Sequence, residues 1–159
     1  MRSIDFIAIH CSATPGDRDH TAADIRRWHR QRGFRDIGYH FVIRRDGTVE
    51  RGRPLEQQGA HEPRINRNSV AVCLVGGSPP IGSDAYRRGL GENNFTDKQW
   101  DALEFLVAGI HARWPDAEVL GHRDVPGVRK ACPSFDARKW WAGVLESGRL
   151  DFTSIKPIN

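Results

Sequence analysis

Seven histidines and three cysteines hold most of the chain's capacity for chemistry. Three of them stand where secondary-structure elements should end. His10 follows the apolar run Ile4 to Ile9, His122 follows Val119-Leu120, and Cys132 lies in Lys130-Ala131-Cys132-Pro133-Ser134. Two imidazoles and a thiolate can hold a zinc ion, with the fourth position left for water. That donor mixture suits zinc better than magnesium or calcium. The spacing is not a tight C-x-x-C pattern, and the same residues also fit polar rim histidines and a structural thiol. A further reading makes Cys132 a nucleophile with His122 as its base, which alkylation but not chelation would inhibit.

The remaining candidates sort by position. Cys73 sits inside Val70 to Val75 and reads as core. Cys11 follows His10, so on a continuing strand it points to the opposite face. His20, His29 and His111 lie on or beside predicted helices and read as surface or packing residues. Tyr39 and His40 alternate on a strand, so only one can face a cleft; Tyr39 is taken. His61, in a loop before the strand that ends at Gly76-Gly77, is a candidate substrate contact.

The elements that must position these groups are legible. Ile4 to Ile9 is a short bounded apolar run and reads as a buried strand. A helix starts at Thr21, paired with Asp24 as a cap, presents Ile25 and Trp28 to the core and stops at Gly33. Tyr39 to Ile43 reads as a strand, Asp46-Gly47 as a hairpin turn, and Val49 as the start of the return strand. Ser69 to Val75 is a further apolar strand. Residues 78–94, rich in Gly, Pro, Ser and Asn, form a long loop. Thr96 and Gln99 make a capping box, with Phe95 able to staple onto Trp100. Leu103, Leu106, Val107, Ile110 and Trp114 keep helical spacing until Pro115. Glu118 to Leu120 is a short strand, and a last helix runs from about Asp136 to Glu146. This pattern gives an α/β class: a single domain with a central mixed β-sheet flanked by helices. The domain spans 1–148, and the tail 149–159 has no clear period and is expected to pack loosely or fray.

Composition narrows the function. The 159 residues suffice for one domain with one core. Lys+Arg 24 against Asp+Glu 20 leaves +4, and the whole excess lies in residues 1–80. A basic face favours an anionic partner such as nucleic acid, a membrane surface or cell-wall polymer. No nucleic-acid motif is present, and aromatics do not interleave with the arginines as a stacking platform requires. No apolar run approaches the roughly 20 residues of a membrane span, so no stable membrane insertion is expected. The N-terminus does not read as a secretory signal, which points to synthesis and first residence in a cytoplasm. Three widely spaced cysteines do not make a disulfide framework.

Six segments, in order, carry a resemblance: Ile9-His10-Cys11-Ser12-Ala13-Thr14, Ile25-Arg26-Arg27-Trp28-His29, Ile37-Gly38-Tyr39-His40-Phe41-Val42-Ile43, Asn68 through Gly77, Gly121-His122-Arg123-Asp124, and Lys130 through Asp136. Together they cover roughly residues 4 to 145. The chain resembles the zinc-dependent N-acetylmuramoyl-L-alanine amidases of bacteriophage endolysin type, which share a fold with peptidoglycan recognition proteins. The resemblance implies one zinc on His10, His122 and Cys132, with Tyr39 and Lys130 in catalysis. It implies hydrolysis of the amide between N-acetylmuramic acid and L-alanine, with peptidoglycan or muropeptide as partner. Asn68 joins His61 as a substrate-binding candidate. Binding-only recognition proteins often lack the cysteine ligand, so Cys132 argues for an active enzyme. A bacterial muropeptide-recycling amidase and a non-catalytic peptidoglycan-binding or regulatory module are the alternatives. The loop 78–94 and the tail match nothing in detail, and any protein regulator stays unidentified.

Overall fold

A computed structural model describes residues 1–159. Seven strands and four helices follow one another as β1 (Phe6–Cys11), β2 (Thr14–Pro15), α1 (Ala22–Gln31), β3 (Phe41–Ile43), β4 (Val49–Arg51), β5 (Ser69–Leu74), β6 (Gly77–Ser78), α2 (Asp84–Arg87), α3 (Asp97–Arg113), β7 (Glu118–Gly121) and α4 (Ala137–Ser147). Five strands form the central sheet in the order β4-β3-β5-β1-β7. All neighbours are parallel except β3 and β4, which form the antiparallel hairpin at one edge. The sheet is mixed and lies between helices.

Alternation along the strands divides the core. Ile7, Ile9, Val70, Val72, Leu74, Phe41 and Ile43 pack with Leu103, Leu106, Val107 and Ile110 of α3 and Trp141 and Val144 of α4. The other face carries Val42, Cys73 and Val75 against Ala22 and Ile25 of α1, and Ala8 and Leu120 against Ile65 and Val125. Central parallel strands buried on both faces read as near-continuous apolar runs, which is how β1 and β5 look in sequence.

Both helix starts seen in the sequence are capping boxes. Thr21 accepts from the Asp24 N–H and Asp24 accepts from the Thr21 N–H. Thr96 and Gln99 do the same, and the Phe95 and Trp100 rings meet edge to face at 5.8 Å. Gln99 is fully buried because its amide also donates to the Ile43 and Val75 carbonyls, tying α3 to β3 and β5.

Several boundaries differ from expectation. β1 runs on through His10 and Cys11, since the ladder to β5 continues to Leu74. β3 begins at Phe41; Tyr39 and His40 precede it but still give their carbonyls to Arg53 and Gly52. The tail is not frayed. Leu150, Ile155 and Ile158 pack on the core, the Ile158 N–H donates to Gly109 O at 3.0 Å, and Arg113 Nη1 donates to Ile158 O at 3.1 Å. Its apolar residues have no helical or strand period because the tail packs as an irregular strap with a turn at 152–154. The loop 78–94 carries β6, paired to β2, and the single-turn α2.

Candidate active site

Parallel strands set the first two groups side by side. β1 pairs with β7 with Ile9 opposite Gly121, so the next residues, His10 and His122, stand abreast at the carboxyl ends of the strands. Their ring centroids are 4.6 Å apart. In open α/β sheets ligands bind beyond these strand ends. The third group arrives by a return of the chain after β7. The Arg123 N–H donates to Cys132 O at 2.8 Å, and the Cys11 N–H donates to Cys132 Sγ at 3.2 Å. Ser134 Oγ fastens the segment to Gly77 O at 2.8 Å. Gly121 permits this close return, because a Cβ there would lie 2.7 Å from Pro133 Cδ.

One donor atom from each of His10, His122 and Cys132 lies within 4.8 Å of the others. Cys132 Sγ and His10 Nδ1 are 3.9 Å apart. Ligand atoms around one tetrahedral zinc are separated by about 3.3–3.8 Å, so small side-chain rotations close the triple. The donors also suit a cation in protonation state. Burial, then the neighbouring His61 and His122 and the Lys130 ammonium, hold His10 well below the usual imidazole range. Burial also lowers His122, against the opposing pull of Glu62. Both rings are therefore neutral with a lone pair free. The hydrogen bond with Cys11, and then burial, push the Cys132 thiol well up; a bound cation is what favours its thiolate.

Each histidine turns its other nitrogen to the protein. His10 Nε2 lies 2.9 Å from His61 Nδ1, and His61 Nε2 lies 2.9 Å from Ser69 Oγ. His122 Nε2 lies 3.0 Å from Glu62 Oε2. A carboxylate only accepts, so this Nε2 carries the hydrogen and Nδ1 is open. Burial alone would raise Glu62, but its bonds from His122 and from the Arg64 N–H and guanidinium hold it below the usual range.

A cleft of about 220 Å³ is lined by His122 and Cys132 of the triple and also by Tyr39, His29, His61, Arg32 and Lys130. The Tyr39 ring is 5.1 Å from His10 and 5.3 Å from His29. Burial pushes its phenol well above the ordinary range, so it stays protonated. Lys130 is exposed at the mouth. An adjoining hollow of about 360 Å³ shares Lys130 and Cys132, and Tyr86, Leu90 and Gly91 of the 78–94 loop wall it. The largest surface hollow, about 680 Å³ beside Trp100, Phe135 and Trp140, contains none of the three donors; the convergent polar groups mark the smaller cleft as the site.

His40 is buried away from the cleft, accepting from the Ala71 N–H at Nδ1 and donating from Nε2 to Gln57 O. His61 lines the cleft, with Nδ1 turned to His10 Nε2 and Nε2 to Ser69 Oγ. Asn68 lies at the amino end of β5, and its amide donates to Asp5 Oδ2 at 2.7 Å, at the opposite end of the strand from the cleft. Sequence reasoning missed Glu62, and it read His29 as a packing residue although His29 lines the cleft. No helix is long and apolar enough to cross a membrane.

Known proteins resemble this chain in sequence and fold. The family model described as N-acetylmuramoyl-L-alanine amidase matches residues 1–135. The endolysin of Klebsiella phage KP32 is 46% identical over 135 residues, 85% of this chain and 83% of that protein. The endolysin of Escherichia phage T7 is 42% identical over 87% of this chain and 86% of its own length. In structure, the N-acetylmuramoyl-L-alanine amidase LysC from Clostridium intestinale URNW superposes with a TM-score of 0.71 at 24% identity, over 94% of this chain and 88% of its own, a likeness of fold. With its sheet, its His-His-Cys cluster and these relatives, the chain belongs to the N-acetylmuramoyl-L-alanine amidase family, hydrolases of the bond between N-acetylmuramic acid and L-alanine in peptidoglycan.

Proposed function

We propose that this chain is a phage endolysin that cuts that amide with one zinc ion held by His10, His122 and Cys132. The observation that carries the reading is the convergence of two neutral imidazoles at adjacent parallel strand ends with the thiol of the returning 130–134 segment, beside a cleft that also holds Tyr39 and Lys130. When bound, zinc supplies a Lewis acid that makes water nucleophilic near neutral pH and polarises the scissile carbonyl. The protein's own groups do the rest. His10 and His122 stay neutral and keep their Nδ1 lone pairs directed inward. Tyr39 offers a protonated phenol and Lys130 an ammonium to the negative charge that develops on the carbonyl oxygen. The leaving amine needs a proton, and Tyr39, Lys130 and water are its sources in this reading. The walls that Arg32 and the 78–94 loop form beside the triple give the muropeptide its bed.

The catalytic unit is assigned to residues 1–148, with 149–159 as a strap on its outer side. Its working place is the host cell, where it accumulates in the cytoplasm before release to the wall; it binds no nucleic acid and does not insert in the membrane. Digestion of purified peptidoglycan tests the activity. New free amino groups on L-alanine should appear without new reducing sugar ends. Reducing ends without new amines would mean glycoside cleavage and would end the proposal.

A further inference from the structure

One dipeptide supports both ligand histidines, and its two members do so with different chemistry. His61 backs His10 with a neutral imidazole, itself resting on the Ser69 hydroxyl. Glu62 backs His122 with a carboxylate. We infer that Glu62, fixed by Arg64 and Asn66, is a positioning residue that holds His122 in the tautomer and rotamer its role as a metal ligand requires; this rests on the zinc reading above.

The geometry is specific. Asn66 Oδ1 accepts from the His61 N–H at 2.9 Å and the Glu62 N–H at 2.8 Å, so a single side chain grips the backbone of both residues. Glu62 O in turn accepts from the N–H groups of Ile65 and Asn66, closing a tight turn. The side chain of Glu62 is then used at both ends. Oε1 accepts from the Arg64 N–H at 3.2 Å and from Arg64 Nη1 at 2.8 Å. Oε2 is left for His122 Nε2. Glu62 is 4% exposed and His122 6% exposed, so water competes little for either. A buried carboxylate is costly without strong partners, and this one has three donors. Two donors from Arg64 occupy Oε1, so Oε2 is the oxygen turned to His122 Nε2. That leaves His122 Nδ1 as the free lone pair on the side of His10 and Cys132. A carboxylate behind the ring also raises its basicity as a ligand. His61 cannot do this for His10, since it carries no negative charge.

Zinc affinity of the full-length protein, measured by competition with a chromogenic chelator, tests the inference. Loss of such a partner typically costs about 10–100-fold in metal affinity. Glu62→Ala should fall in that range. Glu62→Gln keeps the shape and an acceptor oxygen for the His122 N–H, so it should recover part of the loss. In cobalt-loaded protein the visible bands should shift in Glu62→Ala, because the His122 ring is released, and shift less in Glu62→Gln. Affinity and cobalt bands unchanged in both variants overturn the assignment. So does a loss of affinity in Glu62→Ala that Glu62→Gln does not lessen and that matches a fall in metal-free stability, since that is a packing defect. If the unmodified protein binds no zinc, the proposed function fails instead, which keeps the two outcomes separate.

Discussion

On β1, Ile7, Ile9 and Cys11 point towards α3 and α4, while Ala8 and His10 point to the opposite side, which α1 and the 54–68 loop cover. The first face is filled by branched aliphatic and aromatic side chains. The second has small residues at Ala8 and Ala71; Ala8 packs with Ile65, Leu120 and Val125, and the Ala71 N–H donates to the buried His40 ring. Packing dominates the first face, where a side chain of similar size and apolarity would serve at most positions. The second face combines apolar packing around α1 and Ile65 with directed hydrogen bonds among its buried histidines, and every buried side-chain nitrogen and oxygen has a partner. Stability and chemistry are thus drawn from alternate residues of the same strands.

Substitutions should separate the two faces. Leu103→Ala, beneath the sheet on α3, should cost about 2–5 kcal/mol of stability through lost burial and a residual cavity. Its zinc content at low temperature should match the unmodified protein; coupled loss of metal would show that the faces are not independent. Tyr39→Phe on the other side should do the reverse. It keeps the ring and the fold but removes a donor, and turnover should drop about 100 to 1,000-fold with zinc retained. Lys130→Ala should behave alike, and unchanged turnover on muropeptide at neutral pH would remove Lys130 from the chemistry.

The histidine-bearing face should also be the acid-sensitive one. His40 is held neutral by burial, with its pKa lowered to about 4 from 6.5. Between these values the unfolded chain binds a proton that the folded chain refuses, so stability falls as pH drops from about 6.5 to 4. The loss from this group is on the order of 3 kcal/mol. Denaturant unfolding across that range should show it, and His40→Asn should lessen the slope while the other buried histidines, His29 and His61 among them, keep the rest. The smallest of these effects belongs to Cys73→Ser, which puts a hydroxyl among Ile25, Val42 and Val75. It should cost about 1–3 kcal/mol and leave the metal in place.

Much of this organisation is written locally. Thr21 with Asp24 and Thr96 with Gln99 announce their helices, and His10, His122 and Cys132 stand at element ends where strands open into a cleft. Such signals need only a few neighbouring residues. What stayed hidden depends on contacts across the chain. Glu62 meets His122 across 60 residues, and nothing beside it in sequence marks a ligand's partner. Asn68 lies in one of the family-like segments, yet its side chain is bound to Asp5. The tail lacks a period because Ile155 and Ile158 answer to the surface of α3 and not to their own backbone. His29 has helical spacing like any packing residue, and only the approach of Tyr39 gives it a place in the cleft.

The central claim is that three side chains from β1, the turn after β7 and the returning 130–134 segment hold one catalytic zinc. Metal analysis of the purified protein beside Cys132→Ala tests it most directly. The account predicts about one zinc per chain in the former. In the latter, with its circular dichroism unchanged, zinc should be lost or bound far more weakly, because a structural-quality site with an open position needs all three protein ligands. Full zinc occupancy in Cys132→Ala, or none in the unmodified protein, would contradict it.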